Sequence, residues 1–324
     1  AGTVGGWQKA LELARRWGGN LPLTCLLGDA VHHARHGVAI SKSQQTLTTR
    51  HRDALFGSPG FAEAFLVDGE APAEGSRLRQ PRLATTLEHL AAAGLDDFYR
   101  GELASSMAGD LEALGSPLRQ ADFADYHAQW VTPLEVVLKE ATLYNLPAPT
   151  QGIASLLILA LYERLEAAEG NSAATLHGLI EATKRAFLLR DRYVTDPGRL
   201  PLELQRLLDE DNLAREAAEI DMQKALPWPH EPVPGDTIWM GTVDGAGRAV
   251  SFIQSIFWEF GSGVVLPESG VLWQNRGISF SLEADSLRGL GPGRKPFHTL
   301  NPALARFRDG RTMVYGTMGG EGQP

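Results

Sequence analysis

The sequence is poor in three features that would point to particular classes of protein. Its single cysteine, Cys25, excludes an internal disulfide and a zinc cage built from several cysteines. It has no long basic run and a formal net charge of -9, which argues against nucleic acid or an anionic membrane as partner. No apolar stretch approaches the ~20 residues that span a bilayer. The remaining composition, 43% hydrophobic and 21% charged over 324 residues, is ordinary for one large or two modest globular domains.

A proline-rich stretch, residues 227–234, separates two parts of different character. Because proline fixes φ and supplies no amide donor, this stretch is expected to be an extended connector. Apolar residues at helical spacing predict that the upstream part is mostly helical. The expected helices are 7–17, 26–35, 41–54, 81–93, 96–114, 120–126, 152–166, 172–191 and 202–226, with a short strand at 142–146. Strands are expected downstream of the connector, so the pattern favours layers of helices and strands over alternating βαβ units.

The two strands directly after the connector, 237–243 and 249–256, are expected to form a hairpin. The intervening Asp-Gly-Ala-Gly-Arg has turn chemistry. If Val243 pairs with Ala249, antiparallel register pairs Thr237 with Ser255 on one face, with Cβ atoms about 5 Å apart. Ser255 would then orient the Thr237 hydroxyl. The alternative is a polar cross-strand pair without a catalytic role, and a register slip would remove the contact.

Short motifs along nearly the whole chain share a recognisable order and spacing. They are residues 1–7, 95–101, 147–152, Thr237, Val243-Asp244, Gly247, 260–263, 268–270, Asn275 and Gly319-Gly320. Each motif alone is weak, but their order and spacing together are specific, and they resemble the gamma-glutamyltranspeptidase family of N-terminal nucleophile hydrolases. The resemblance implies an α+β fold, a four-layer αββα sandwich. Because family members extend before Ala1 and after Pro324, the chain is expected to be an internal piece of a longer protein.

The family cuts its precursor before a threonine and uses the freed threonine as nucleophile. The resemblance places this cleavage between Asp236 and Thr237. It divides the chain into a mostly helical large-subunit portion, 1–236, and a mostly strand small-subunit portion, 237–324. The new α-amine, with a pKa near ~8, can take the hydroxyl proton of Thr237. Gly319 and Gly320 match the family's oxyanion glycines, whose N–H groups approach the tetrahedral intermediate; an ordinary turn is the alternative.

The chain departs from the glutathione-cleaving members at the substrate-binding positions. Where those members receive the glutamyl ammonium with acidic and amide side chains, this chain has Phe257, Arg276 and Ser279. His298 and Thr299 stand at the family's paired serines. Arg276, within the local signature 273–277, is expected to pair with a substrate carboxylate; a structural arginine is the alternative. This pattern resembles the divergent branch that contains oxamate amidohydrolases and glutaryl-type cephalosporin acylases.

Three hypotheses follow from the sequence. The first is an autoprocessing threonine amidohydrolase that acts through an acyl-enzyme on the amide of a small oxamate-like or glutaryl-like acid. It would need no cofactor or metal, and its two fragments would stay together as a heterodimer, with a higher oligomer possible. For the amidohydrolase branch a cytoplasmic location is favoured over a periplasmic or secreted one. The second hypothesis is a gamma-glutamyl hydrolase or transferase, and the third is a binding protein that kept only the fold. Retention of Thr237, Ser255 and the two glycines argues against the third.

Two other patterns have simpler interpretations. His32 and His36 lie four residues apart on an expected helix, a spacing that suits metal ligands, but nothing nearby suggests a third ligand. Solvent-facing histidines are therefore expected. The run Arg190-Asp191-Arg192 is expected to form a surface ion pair.

Overall fold

The computed structural model describes residues 2–165, 170, 172–228, 237–283 and 285–324. The chain divides into two compact units. The first comprises residues 1–130 and 258–274, and the second comprises 131–257 and 275–324. Each unit contains residues from before and after the expected cleavage point, so the two units differ from the expected portions 1–236 and 237–324. Those portions are fragments produced by processing, and they stay a prediction. Asp236 and the connector from 229 to 236 lie outside the described residues.

The first unit is mostly helical. Its helices are α1 (Thr3–Arg16), α2 (Leu23–Leu26), α3 (Gly28–His36), α4 (Lys42–Leu55), α5 (Phe61–Phe65), α6 (Pro81–Ala93), α7 (Asp97–Arg100), α8 (Glu102–Ala113) and α9 (Gln120–Asp125). Two short strands, β1 (Val38–Ala39) and β2 (Arg77–Leu78), pair antiparallel. Ser41 begins α4 by accepting a hydrogen bond from the Gln44 N–H at 3.1 Å.

The glycine-rich loop 260–263 belongs to the core of this first unit. Phe260 packs edge-on against the rings of Phe61 and Phe65, with centroids 5.2 and 5.1 Å away. Gly261 has a φ of +53°, and a Cβ there would lie 2.5 Å from the Trp273 carbonyl oxygen. Only glycine fits this position, so the loop shapes the core of the first unit.

Among its described residues, the second unit combines a four-stranded sheet, a hairpin and three helices. The sheet is antiparallel throughout, in the order β3 (Leu134–Val137), β4 (Ala141–Asn145), β7 (Ala303–Phe307) and β8 (Thr312–Tyr315). The hairpin joins β5 (Ile238–Val243) to β6 (Ala249–Gln254). The helices are α10 (Gly152–Arg164), α11 (Ala173–Tyr193) and α12 (Glu210–Ala218). The fully buried Ile153, Leu157 and Leu161 of α10 belong to one apolar core with residues of β3, β4 and α11.

The expected elements are confirmed in most places, with three corrections. The single helix expected at 96–114 is wrong, because Gly101 is extended and separates α7 from α8. The helix expected at 202–226 is wrong: the chain forms a short 3-10 turn at Leu204–Leu208 and then α12, which ends at Ala218. Helix α12 begins with the acidic residues Glu210 and Asp211. Their negative charges interact favourably with the positive end of the helix dipole, so they stabilise a helix start at this position. Strand β3 was not expected, and it shows the buried–exposed alternation of a half-buried strand. Strands β7 and β8 lie in the region where strands were expected without stated bounds.

The charged and histidine patterns have different outcomes. His32 and His36 are exposed, as expected, with ring centroids 4.5 Å apart. In the part of the chain that the structure describes, no three His, Cys, Asp or Glu residues come together as a metal site. The surface interpretation of Arg190 is wrong, because that side chain is only 3% exposed. Over the same described ranges, every helix is too short or too polar to cross a bilayer.

Candidate active site

The hairpin places the hydroxyl of Thr237 against that of Ser255. Its turn is fixed by Asp244, whose side chain accepts the N–H groups of Ala246 and Arg248 at 2.9 Å each. Hydrogen bonds from Arg248 lower the pKa of this carboxyl. Val243 pairs with Ala249 and the register continues to Ile238 opposite Gln254, so the next opposed pair is Thr237 and Ser255. Thr237 Oγ1 donates to Ser255 Oγ at 3.1 Å, which confirms the predicted contact.

Ser255 and Gln323 hold the Thr237 hydroxyl from two sides. Ser255 Oγ also accepts the N–H of Phe257 at 2.8 Å, which fixes its position at the end of β6. Gln323 Nε2 donates to Thr237 Oγ1 at 3.3 Å. Gln323 is only 4% exposed and was missed by sequence reasoning. Its proximity to the conspicuous Gly319-Gly320 pair was the one available signal.

The Gly319-Gly320 turn carries Gln323. Gly319 has a φ of +124° and Gly320 a φ of +58°, conformations that favour glycine. A 3-10 turn covers Gly320–Gly322, and the Gln323 N–H donates to the Gly320 carbonyl at 3.3 Å. The structure thus brings the glycine pair into the neighbourhood of Thr237, while its oxyanion role stays a prediction.

A buried polar network supports this turn from behind. Gln151, fully buried, donates through Nε2 to the carbonyls of Thr299 at 2.8 Å and Gly320 at 3.0 Å. Its Oε1 accepts from Arg190 Nη1 at 2.9 Å. Arg190 also pairs with Asp191 at 2.9 Å and lies 3.6 Å from a Glu321 carboxylate oxygen. The network connects the turn to helix α11 through Arg190. Arg190 therefore supports the turn from a buried position, where a surface ion pair was expected.

Four of the five expected substrate-binding residues form one cluster around Arg276. The Arg276 guanidinium lies under the Phe257 ring, 3.5 Å from its centroid. It donates to Thr299 Oγ1 at 3.0 Å and to Ser279 Oγ. Arg276 is 7% exposed, and burial lowers its pKa to about 10. The charge of Glu321 acts in the opposite direction and that of Arg288 in the same direction.

Phe257 connects this cluster to the hydroxyl pair. Its backbone N–H bonds Ser255 while its ring covers Arg276. Its φ is +83°, an uncommon conformation for a bulky residue, which redirects the chain directly after β6. The Asn275 N–H donates to the Ile256 carbonyl at 3.2 Å, so the loop that bears Arg276 is also bonded to the end of the hairpin.

His298 borders the Arg276 cluster in a neutral form. Its backbone N–H donates to the Pro149 carbonyl at 2.8 Å, and its Nδ1 accepts from the Leu300 N–H at 3.3 Å. Burial lowers the pKa of His298 to about 3, and the positive charge of Arg276 contributes to the shift. At neutral pH the ring is therefore uncharged, with Nδ1 as acceptor and Nε2 as donor.

Comparison with known proteins gives a consistent relationship. The gamma-glutamyltranspeptidase family model matches residues 1–324. The chain is 51% identical over 325 residues to the oxamate amidohydrolase proenzyme of Klebsiella pneumoniae, covering all of this chain and 62% of that protein. It is 36% identical to a glutathione hydrolase-like proenzyme of Bacillus subtilis, covering all of this chain and 61% of that protein. The cephalosporin acylase structure from Bacillus halodurans superposes with a TM-score of 0.90 at 32% identity, covering all of this chain and 60% of that one.

These relationships confirm the predicted family and fold class. The chain spans about three fifths of the length of the curated relatives it matches. Its mixed helices and antiparallel strands are the corresponding part of the α+β fold of the N-terminal nucleophile hydrolases. The chain belongs to the gamma-glutamyltranspeptidase family.

Proposed function

We propose that the full-length protein is an autoprocessing threonine amidohydrolase that acts on the amide of a small carboxylated acyl group. The contact that carries this proposal is the 3.1 Å hydrogen bond from Thr237 Oγ1 to Ser255 Oγ, at the start of a hairpin whose register fixes it. Two relatives are named proenzymes, which supports processing into two chains that remain together.

Processing and turnover use the same hydroxyl. In the precursor, Thr237 Oγ attacks the carbonyl carbon of Asp236, the C–N bond breaks, and water then hydrolyses the resulting ester. The products are a new carboxylate on Asp236 and a free α-amine on Thr237. Asp236 lies outside the described residues, so the support for this step is the position of the Thr237 hydroxyl.

Turnover follows from the free amine. The α-amine takes the hydroxyl proton of Thr237 while Oγ bonds the substrate carbonyl carbon, whose oxygen becomes an oxyanion. N–H groups of Gly319 and Gly320 stabilise that charge in the proposal. The α-ammonium then protonates the leaving nitrogen as the C–N bond breaks, and water hydrolyses the acyl-enzyme by the same proton route.

The Arg276 cluster supports a substrate that carries a carboxylate. An arginine fork pairs well with a carboxylate, and a buried one does so with less screening by water. A substrate ammonium 4 Å from the Arg276 charge would be repelled by ~4 kcal/mol at an effective dielectric constant of 20. The relatives named oxamate amidohydrolase and cephalosporin acylase agree with such an acyl group.

A gamma-glutamyl hydrolase or transferase is the second candidate. It is supported by the 36% identity to a protein named as glutathione hydrolase-like. In this case the substrate ammonium would have to be received elsewhere than beside Arg276, because the two cations repel each other.

A panel of amides tests the proposal on the processed full-length protein. Ammonia or amine release is measured for oxamate, a glutaryl anilide and the matching gamma-glutamyl anilide. A higher kcat/KM for oxamate or the glutaryl amide is expected. Faster hydrolysis of the gamma-glutamyl anilide than of its glutaryl analogue would replace this substrate class by the second candidate.

A further inference from the structure

Gln323 contacts the reacting oxygen, and none of the sequence motifs accounts for it. Its Nε2 lies 3.3 Å from Thr237 Oγ1. We propose that Gln323 is a further catalytic residue with two tasks. Its Nε2 fixes the Thr237 hydroxyl, and its Oε1 accepts a hydrogen bond from the α-amino group that cleavage before Thr237 creates. The inference rests on the proposed function, because it concerns the same nucleophile.

The hydrogen-bond inventory of the hydroxyl supports the first task. A threonine hydroxyl has one proton and two acceptor lone pairs. The proton of Thr237 goes to Ser255 at 3.1 Å, so the side of Oγ1 that faces Gln323 acts as acceptor. The amide nitrogen of Gln323, a donor, is therefore the atom of that amide that faces Oγ1.

The second task follows from the other atom of the same amide. Gln323 Oε1 is buried and has no hydrogen-bond partner among the residues that the structure describes. A buried acceptor without a partner destabilises the folded chain, so such an atom needs an explanation. Cleavage adds new N–H donors to the residue that the amide already touches, since the amine and hydroxyl of a threonine are on neighbouring carbons. The α-amine gives Oε1 the donor that the uncleaved chain lacks.

The surroundings of Gln323 are rigid enough for such a role. The turn before it is bonded through the Gly320 carbonyl to Gln151, which Arg190 holds in turn. The Glu321 carbonyl accepts from the same Arg190 at 3.3 Å. The amide of Gln323 thus stands on a buried scaffold and reaches Thr237 without a large rearrangement.

The charge of the side chain at position 323 should then change the pKa of the Thr237 α-amine, which acts as the base. A neutral acceptor stabilises the α-ammonium modestly, whereas a carboxylate in its place raises the amine pKa and an alanine lowers it. Activity needs the free amine, so the acidic limb of the kcat/KM profile follows its pKa. Gln323→Glu should move this limb up by about one pH unit, and Gln323→Ala should move it down.

The experiment uses the full-length protein with Gln323→Glu, Gln323→Ala and Gln323→Asn. Gln223→Glu is the matched control, because Gln223 is exposed in the same unit. Cleavage before Thr237 is followed by mass spectrometry, and kcat, KM and the pH profile are measured with oxamate. We expect all variants to be processed. Gln323→Ala should lose about 10- to 100-fold in kcat, with KM changed less than about threefold. The acidic limb of the pH profile should shift up in Gln323→Glu and down in Gln323→Ala. The asparagine variant should fall between wild type and alanine.

Several outcomes separate this inference from the proposed function. A wild-type protein that neither cleaves itself nor hydrolyses any amide defeats the proposed function. A wild type that does both, with Gln323 variants whose acidic limb stays in place, overturns the amine contact. Loss of cleavage in all three variants with an unchanged circular dichroism spectrum assigns Gln323 to processing and also overturns it. The control variant should match wild type in every measurement.

Discussion

The hydroxyl pair and the Arg276 cluster are held in place by different means within the same unit. Thr237 and Ser255 are set by hairpin register, and the strand residues between them are partly exposed, Ile238 by 50% and Val243 by 52%. Arg276 is 7% exposed and is fixed by a ring above it and by hydroxyls, one of them on Thr299 far along the chain. A local element is enough to aim a nucleophile, whereas a buried cation needs contacts from several segments.

This difference predicts a division of kinetic effects. Variants of the hydroxyl pair should lower kcat, because they act on an interaction made in the transition state. Variants of the Arg276 cluster should raise KM for carboxylated amides, because they act on binding. Phe257 contacts both groups, so variants at this position are expected to change kcat and KM together.

Removing the nucleophile should give the largest effect. Thr237→Ala deletes the hydroxyl that serves both reactions, so cleavage should stop and amide hydrolysis should fall by about 10⁴-fold or more. Mass spectrometry of the full-length protein should show one uncut chain, whereas wild type gives a fragment that begins at Thr237. A wild type that is active as one uncut chain would contradict the prediction.

Removing the partner hydroxyl should have the next largest effect. Ser255→Ala leaves Thr237 in place but no longer aims its hydroxyl, so kcat should fall by about 100-fold with KM nearly unchanged. Ser251→Ala is the matched control, because Ser251 lies on the same face of β6 and bonds Trp239 Nε1 at 3.0 Å instead. Equal losses in the two variants would show that hairpin stability, and not orientation, matters.

Shortening the charged fork tests the other group. Arg276→Lys keeps the charge but loses the planar pair of donors, so KM for oxamate should rise about tenfold with little change in kcat. Self-cleavage before Thr237 should persist, which shows that the fold is intact. A fall in kcat at constant KM would place Arg276 with the hydroxyl pair and remove the distinction between the two groups.

The hairpin was predictable from the sequence because its determinants are local. Five turn residues and an alternation of side chains fix which residues face each other, so the Thr237–Ser255 contact could be counted out along the strands. The family resemblance gave the identities of the residues around Arg276, but not that Phe257 covers the guanidinium.

The contacts behind the site were not predictable from any local pattern. The sequence around Arg190 and Asp191 is typical of a surface ion pair. In the structure Arg190 is buried and donates a hydrogen bond to Gln151, 39 residues away in the sequence. Gln323 meets Thr237 across 86 residues. Such pairs depend on how the sheet and helices pack, and a single sequence carries no periodic signal for them.

The smallest expected effect concerns stability and reports on the Arg276 cluster without kinetics. His298 has a folded-state pKa of about 3, against about 6.5 for an unperturbed histidine. Between these values the unfolded chain binds a proton that the folded chain does not, so this contribution to stability is complete above pH 6.5 and is lost as the pH falls toward 3.

His298→Asn keeps an acceptor for the Leu300 N–H but does not titrate. Urea unfolding at pH 7 and pH 5 should show wild type losing about 2 kcal/mol more than the variant, while exposed His33→Asn behaves as wild type. Equal losses in His298→Asn and wild type would mean that His298 is protonated beside Arg276, and the cluster would then hold two cations.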